Sequence, residues 1–372
     1  MKALARMGTR LACALAVFVA FIPAPPADAD DVFSDRIGMN RVNLAWLSRA
    51  DQTRVLKEIA ASGITHVRLS LSRPVDKSIE AVEIADRLGL KILLEIQLGN
   101  KDYYPLEVRP RTGFGRIWDV FRLSDLDLDL YRAQLRSALG RIDDMAIRID
   151  AVEPGNEINY SAYNGDLVVY EKPGRQTPRS VSELADRSAF ERGLDAYVGA
   201  VRITREELQA TAHSRDALLI SAGLSDVSAA EADSRGMERL DPRAFVQLLR
   251  ERGIDALIDG YGIHVYPGRK GDAALARYVT ALLDFCQPEG EGRPCWVTEW
   301  GIANTTLSCP IDDRKREGAV RAMRRVFRQR MAERTLEAVF YYDWDTQPAY
   351  SVWRCNALSP AGAAATEPDA GE

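Results

Sequence analysis

The feature that most constrains the fold is an alternation of eight short apolar runs with segments of helical period. The runs are Arg36–Leu44, Ile64–Leu71, Lys91–Leu98, Ala146–Glu153, Leu218–Gly223, Ile258–Val265, Cys295–Trp300 and Ala338–Trp344. Between them, Asp51–Ala61, Lys77–Leu88, Leu126–Ile142, Arg187–Ala212, Pro242–Arg252, Ala273–Cys286 and Asp312–Glu333 repeat apolar residues at helical spacing. Several runs are apolar almost without interruption, as strands covered on both faces must be. Eight strands with intervening helices predict a closed parallel (β/α)8 TIM barrel, a single α/β domain over residues 30–358. An open doubly wound sheet also alternates, but it often carries a glycine-rich phosphate turn after its first strand. Here Asn43-Leu44-Ala45-Trp46 stands in that place.

The links are uneven. Helix-to-strand links such as Ala61-Ser62-Gly63 and Arg87-Leu88-Gly89 are short, whereas Gly99–Ser124, Ile158–Asp186 and Gly301–Pro310 after strands are long. In a barrel the long links all rise at the strand C-termini, the face where ligands bind. At the end of the chain, Ser359–Glu372 is rich in Ala, Pro and Gly and is acidic. It is expected to be a disordered tail over 359–372, leaving the eighth helix short or missing.

The first 29 residues read as a signal peptide. Lys2, Arg6 and Arg10 precede the apolar run Leu11–Ile22, prolines follow, and Ala27-Asp28-Ala29 is a small-x-small cleavage site. The run is shorter than the about 20 residues of a membrane span, so a mature chain without a span is expected, periplasmic or extracellular. Cleavage removes three bases and one acid, a net of +2, and takes the formal charge from −5 to −7. Such a chain lacks the basic stripe of a nucleic-acid binder, and neutral small molecules or sugars suit it better as partners.

Two acids close predicted strands on opposite sides of an eight-strand barrel. The fourth ends in Glu153-Pro154-Gly155-Asn156-Glu157-Ile158-Asn159 and the seventh in Trp296-Val297-Thr298-Glu299-Trp300-Gly301. Both carboxylates can point into one cleft, as glycoside hydrolysis requires: one protonates the leaving oxygen and one attacks or activates water. Their surroundings must separate their pKa values. A guanidinium beside one of them would keep it ionised.

At these residues the chain resembles the retaining glycoside hydrolases of clan A, the group that holds families 5 and 39. The resemblance implies Glu157 as acid/base and Glu299 as nucleophile. It implies Arg68, in Val67-Arg68-Leu69, as the base that holds the nucleophile ionised. His264 and Tyr266, in His264-Val265-Tyr266-Pro267, would line the cleft, and Trp344 would form an aromatic floor. Asn156 is placed to bond the sugar 2-hydroxyl, a contact that strengthens in the transition state. The third strand departs from the pattern: Glu95-Ile96-Gln97 stands where family 5 enzymes commonly carry a His, and Glu95 is left outside the catalytic set. The Gly99–Ser124 link carries Tyr103, Tyr104, Phe114 and Trp118 among Arg109, Arg111 and Arg116. It is either a set of outer sugar subsites or a satellite core that pins the loop.

The expectation is a monomeric retaining enzyme acting on a β-linked poly- or oligosaccharide without metal or organic cofactor. Transglycosylation at the same site and a non-catalytic carbohydrate-binding barrel remain open. Cys286, Cys295, Cys309 and Cys355 remain after cleavage, an even number without zinc-type spacing. Barrel topology puts Cys286 and Cys295 together at the bottom and Cys309 and Cys355 in neighbouring top loops, so those are the expected disulfides.

Overall fold

The computed structural model describes residues 37–111, 119–170, 180–268 and 270–367, with 174, 176 and 178. The signal-peptide segment 1–29 lies outside the described residues, as do Phe114, Arg116 and Trp118. Eight strands form one parallel sheet: β1 Ile37–Asn40, β2 His66–Leu71, β3 Lys91–Ile96, β4 Ala151–Pro154, β5 Leu218–Leu219, β6 Tyr261–Val265, β7 Cys295–Trp300 and β8 Leu336–Tyr341. Their order is β5-β4-β3-β2-β1-β8-β7-β6. Parallel bridges Ile220↔Gly260 and Leu224↔Ile263 join the two outer strands and close the barrel. The fold is a single-domain (β/α)8 barrel.

Helices follow the strands: α1 Arg49–Ala61, α2 Val75–Arg87, α3 Leu128–Asp143, α4 Arg187–Gln209, α5 Ala229–Arg235, α6 Pro242–Glu251, α7 Asp272–Leu282, α8 Arg314–Ala332 and α9 Pro360–Thr366. Local chemistry sets their starts. Ser48 accepts from the Asp51 amide at α1, and Asp127 accepts from Asp129 and Leu130 at α3. At α6, Asp241 caps a helix whose first residue is Pro242, which has no amide proton to leave unsatisfied.

Strand alternation divides the core in two. Residues pointing outward, such as Val67, Leu69, Ile92 and Leu94, join the large cluster beneath the helices. Leu93, Ala151, Ile220, Trp296, Ala338 and Phe340 form a separate layer that fills the barrel interior. Phe340 reaches across to β1, where a Cβ on Gly38 would lie 2.2 Å from its ring. Only a glycine fits there without displacing the layer.

The C-terminal segment corrects the expectation of a disordered tail. Pro360–Thr366 is a short eighth barrel helix whose Ala361, Ala364 and Ala365 are fully buried. Small side chains let it lie close to α8, and the buried Arg324 of α8 donates to the Ala364 and Glu367 carbonyls. Arg316 likewise donates to Ser359. The Arg324 bonds satisfy two carbonyls at the end of this helix, and the Arg316 bond holds the Ser359 hydroxyl that caps its start. Residues 368–372 lie outside the described residues.

Both expected disulfides are present, with Cα separations of 5.3 Å for Cys286–Cys295 and 6.0 Å for Cys309–Cys355. The first joins the end of the α7 segment to β7 at the barrel bottom. The second ties the loop after β7 to the one after β8. The sequence separations are 9 and 46 residues, so chain entropy predicts unequal contributions. Replacing Cys309 and Cys355 by Ser is expected to cost about 4 kcal/mol, against about 2.5 kcal/mol for Cys286 and Cys295. Guanidinium unfolding of the two double variants checks the order.

Candidate active site

The strand phase that sends Val67 and Leu69 outward sends Arg68 and Ser70 inward. On β4 the same alternation turns Ala151 and Glu153 inward. On β7, Trp296 and Thr298 face the interior, so strict alternation would point Glu299 away from it. The register with β8 jumps from Val297↔Val339 to Trp300↔Tyr341, and that with β6 slips between Ile263 and His264. This extra residue is a β-bulge, which re-aims a side chain. Thr298 and Glu299 therefore both face the barrel axis, while Trp300 turns out against Phe327 of α8.

Arg68 is fully buried and binds three partners. Its Nε donates to Glu153 Oε2 at 2.6 Å, its Nη1 to Glu299 Oε1 at 2.7 Å, and its Nη2 to Asn156 Oδ1 at 3.0 Å. The other Glu153 oxygen accepts from Thr298 Oγ1 at 2.8 Å. Because Asn156 spends its carbonyl on Arg68, its amide donor is the group left for a ligand. The second Glu299 oxygen accepts from Tyr266 Oη at 2.7 Å. Burial pushes the Glu299 carboxyl up, but His264, Arg68 and the Tyr266 bond outweigh it and hold the group below its ordinary value.

Glu157 lies across the cleft, with a left-handed backbone at φ 45°. Its amide donates to the Gly223 carbonyl at 2.8 Å and its carbonyl accepts from Tyr160, which hold it there. Residues in this region cluster at functional sites, where surrounding contacts fix them. Its Oε1 is 3.0 Å from His264 Nδ1, and the same nitrogen is 3.5 Å from Glu299 Oε2. The two carboxylate oxygens are therefore no more than the sum of those distances, 6.5 Å, apart. Burial works against a charged His264, yet Glu299 and Glu157 raise its pKa. A Cβ on Gly223 would sit 2.2 Å from His264 Nε2, so a glycine there makes room for the imidazole.

The aromatic at the end of β8 needs correction. Trp344 has 0% exposure and stacks on Trp353 at 5.4 Å. Its Nε1 lies toward Glu58 of α1, so it is part of the core under the loops and lines no cleft. The chain turns at Asp343, whose carboxylate accepts from Thr346, Gln347 and Ser351. Tyr342 occupies the cleft instead, edge-on to Tyr266 at 6.1 Å and close enough to Glu299 and Glu157 for both to raise its pKa. Its period-two phase with Ala338 and Phe340 is the signal that identifies it. Glu153 was also missed as a site residue, though it lies in the same strand-end segment as Glu157.

In the link after β3, Tyr103 and Tyr104 are buried, Tyr103 against Tyr131 and Tyr104 against Phe121. These two form a satellite core. Glu95 points into the barrel opposite Ser70 and Glu153. Burial pushes its carboxyl up to about 7 despite Arg68. A larger cavity of about 630 Å³ opens at the opposite end of the barrel, beside Lys91, Asp150 and Trp296. The interior layer of Leu93, Trp296 and Phe340 lies between it and the two carboxylates. Among the described residues no group of three or more His, Cys, Asp or Glu side chains could hold a metal.

No protein-family model matches the sequence, and no curated protein sequence does. Solved structures share the fold. The virulence factor SghA from Agrobacterium tumefaciens superposes with TM-score 0.53 at 12% identity, over 92% of this chain and 99% of that one. A GH5_18 protein from Streptomyces cattleya, complexed with Manβ1-4GlcNAc, gives 0.54 at 16% over 89% and 79%. A fungal β-1,4-galactanase gives 0.55 at 12% over 89% and 98%.

Replacing Arg68 by Met would leave Glu153 and Glu299 buried without their counter-charge. A stability loss of about 3–5 kcal/mol is expected in denaturant unfolding. A depressed carboxylate contributes stability that is complete above its ordinary pKa, 4.5 for Glu299, and is lost as pH falls through the lowered value. Removing Arg68 raises that value toward the ordinary one, so the loss of stability that Glu299 contributes on acidification should be smaller than in the wild type.

Proposed function

We propose that this chain is a retaining glycoside hydrolase, acting on a β-linked poly- or oligosaccharide through a covalent glycosyl–enzyme intermediate. One observation carries the reading: Glu157 and Glu299, from opposite strands, both converge on His264 Nδ1, with their facing oxygens at most 6.5 Å apart. Retaining enzymes hold their two carboxyl groups about 5–5.5 Å apart, and inverting enzymes about 6.5–9.5 Å to admit a water. The upper bound on the spacing here falls at the lower edge of the inverting range. Solved structures sharing the fold include a β-glycosidase and fungal β-1,4-galactanases, which adds support for the class.

In the first step a Glu299 oxygen attacks the anomeric carbon while Glu157 gives its proton to the departing glycosidic oxygen. Arg68 and Tyr266 keep the attacking carboxylate ionised and oriented. The Asn156 amide bonds the sugar 2-hydroxyl, and Tyr342 faces the ring. In the second step Glu157, now ionised, takes a proton from water, which attacks the glycosyl ester and releases Glu299. His264 sits between the two carboxylates and donates from Nδ1 to whichever carries charge. The same intermediate can pass its sugar to a second sugar, the transglycosylation outcome.

We also infer export. The basic-then-apolar leader with its Ala27-Asp28-Ala29 site supports it. So do the two disulfides, which persist in oxidising compartments. No described helix is long and apolar enough to cross a membrane. A cell-envelope or secreted polysaccharide is the natural substrate for such an enzyme.

The two glutamates are separable by experiment. Glu299→Gln should abolish turnover of every glycoside, since both steps need the nucleophile. Glu157→Gln should lose about 10²–10⁴-fold on substrates with poor leaving groups. On a dinitrophenyl glycoside, whose leaving group needs no proton, it should still form the intermediate. Added azide should then restore turnover, because azide attacks without a general base. Full activity of either variant on a natural oligosaccharide would end the assignment.

A further inference from the structure

Tyr266 donates from its Oη to Glu299 Oε2 at 2.7 Å, yet it stands one residue beyond β6, which closes at Val265. Pro267 follows, with no amide proton to offer, and then Gly268, left-handed at φ 66°. The chain therefore leaves the sheet directly after Tyr266. Up to that point the contact between β5 and β6 is regular. The Leu224 amide donates to the Gly262 carbonyl at 3.1 Å, and the His264 amide to the Leu224 carbonyl at 2.8 Å. A parallel ladder has evenly spaced bonds and advances two residues on each strand. The next bond would join the Tyr266 amide to the main-chain carbonyl of Asp226. Instead, that amide donates to the Asp226 side chain, at Oδ2, over 2.7 Å.

Asp226 is held in turn from a third element. Tyr278 of α7 donates its phenol hydroxyl to the same Oδ2, and the ammonium of Lys270 lies 4.3 Å from the centre of the Tyr278 ring. Burial pushes the Asp226 carboxyl up to about 6, against the pull of the Tyr278 and Tyr266 bonds. The two-step chemistry gives this carboxyl no part. Nor do the other contacts of Tyr266 replace it. Tyr342 and Tyr350 meet the Tyr266 ring edge-on, at 6.1 and 5.4 Å, and they confine the ring from the side. The height of the main chain, and with it the reach of the phenol toward Glu299, depends on the amide.

We propose that Asp226 is a positioning residue, whose carboxylate stands in for the missing ladder carbonyl, fixes the end of β6 and, through Tyr266, sets the aim of the Glu299 nucleophile. The inference rests on the glycosidase reading and adds to it a residue outside the two-step chemistry. Because Asp226 holds main chain and not sugar, it should govern the rate of the chemical steps more than substrate binding. Both donors meet one oxygen, and a side-chain amide oxygen also has two lone pairs. Asparagine can therefore serve in its place, and alanine cannot.

The test measures kcat and KM of the mature protein on the 4-nitrophenyl β-glycoside that the wild type turns over fastest, per folded molecule as judged by circular dichroism. Asp226→Ala should lower kcat by about 10- to 100-fold, the scale of a misplaced reacting group, and change KM by less than about threefold. Asp226→Asn should recover most of the lost rate. In a Tyr266→Phe background, Asp226→Ala should cost less than about threefold more, because the phenol through which it acts is gone. If the alanine variant does not fold, Asp226→Leu keeps the volume without the acceptor and takes its place in each comparison. Unchanged kcat would overturn the inference, as would an asparagine variant no faster than the alanine one. A raised KM with kcat intact would overturn it in favour of direct contact with the sugar. A loss that multiplies in full with that of Tyr266→Phe would show that Asp226 acts by another route. A wild type that turns over no glycoside, natural oligosaccharides included, would instead overturn the glycosidase reading beneath it.

Discussion

One buried guanidinium organises this barrel's upper half. Arg68 has no exposure and balances Glu153 and Glu299 while fixing the Asn156 amide. A planar fork with five donors can meet three acceptors from two other strands at once, which the single ammonium of a lysine cannot match. Burying the charge is tolerable only because each partner is itself hydrogen-bonded, Glu153 by Thr298 and Glu299 by Tyr266. Carboxylates on β4 and β7 are thereby locked to a base on β2. The packed layer of Leu93, Trp296 and Phe340 beneath them gives this network a rigid floor.

On that floor, small backbone irregularities set the geometry above. The bulge on β7 brings Glu299 inward beside Thr298, where a regular strand would offer only one of the two. The left-handed Glu157 swings its carboxyl toward β6, and the glycine at 223 leaves room for His264 to stand between both acids. The two glutamates thus occupy different environments: one is pinned by a base and a tyrosine, the other meets an imidazole. Such a division is what acid and nucleophile roles require of chemically identical side chains.

Much of this was legible from residue order. The period-two and helical patterns specify eight strands and their helices, and Arg68, Asn156, Glu157, His264, Tyr266 and Glu299 all come together near strand C-termini as that order implies. The rest depends on features without a local sequence mark. Hydrophobic pattern cannot reveal the β7 bulge, because Trp296-Val297-Thr298-Glu299-Trp300 is compatible with either phase. The turn at Asp343 depends on contacts with Thr346, Gln347 and Ser351, and it decides that Tyr342 enters the cleft while Trp344 leaves it. The alanine-rich end reads as disorder by composition, yet it is folded by Arg316 and Arg324, side chains that lie on another helix. In β5 only Leu218–Leu219 forms regular ladder, and Ile220, Gly223 and Leu224 continue it as isolated bridges.

The proposed mechanism requires Glu299 to form a covalent bond to the substrate sugar. Incubating the mature protein with a panel of dinitrophenyl 2-deoxy-2-fluoro-β-glycosides tests it directly, because the fluorine slows release of the intermediate. Intact-protein mass should rise by one fluorosugar, and peptide mapping should place the added mass on Glu299, within the Trp296–Gly301 segment. Label on Glu157 would reverse the two roles. Turnover of natural substrate with inverted anomeric configuration and no covalent adduct would contradict the account.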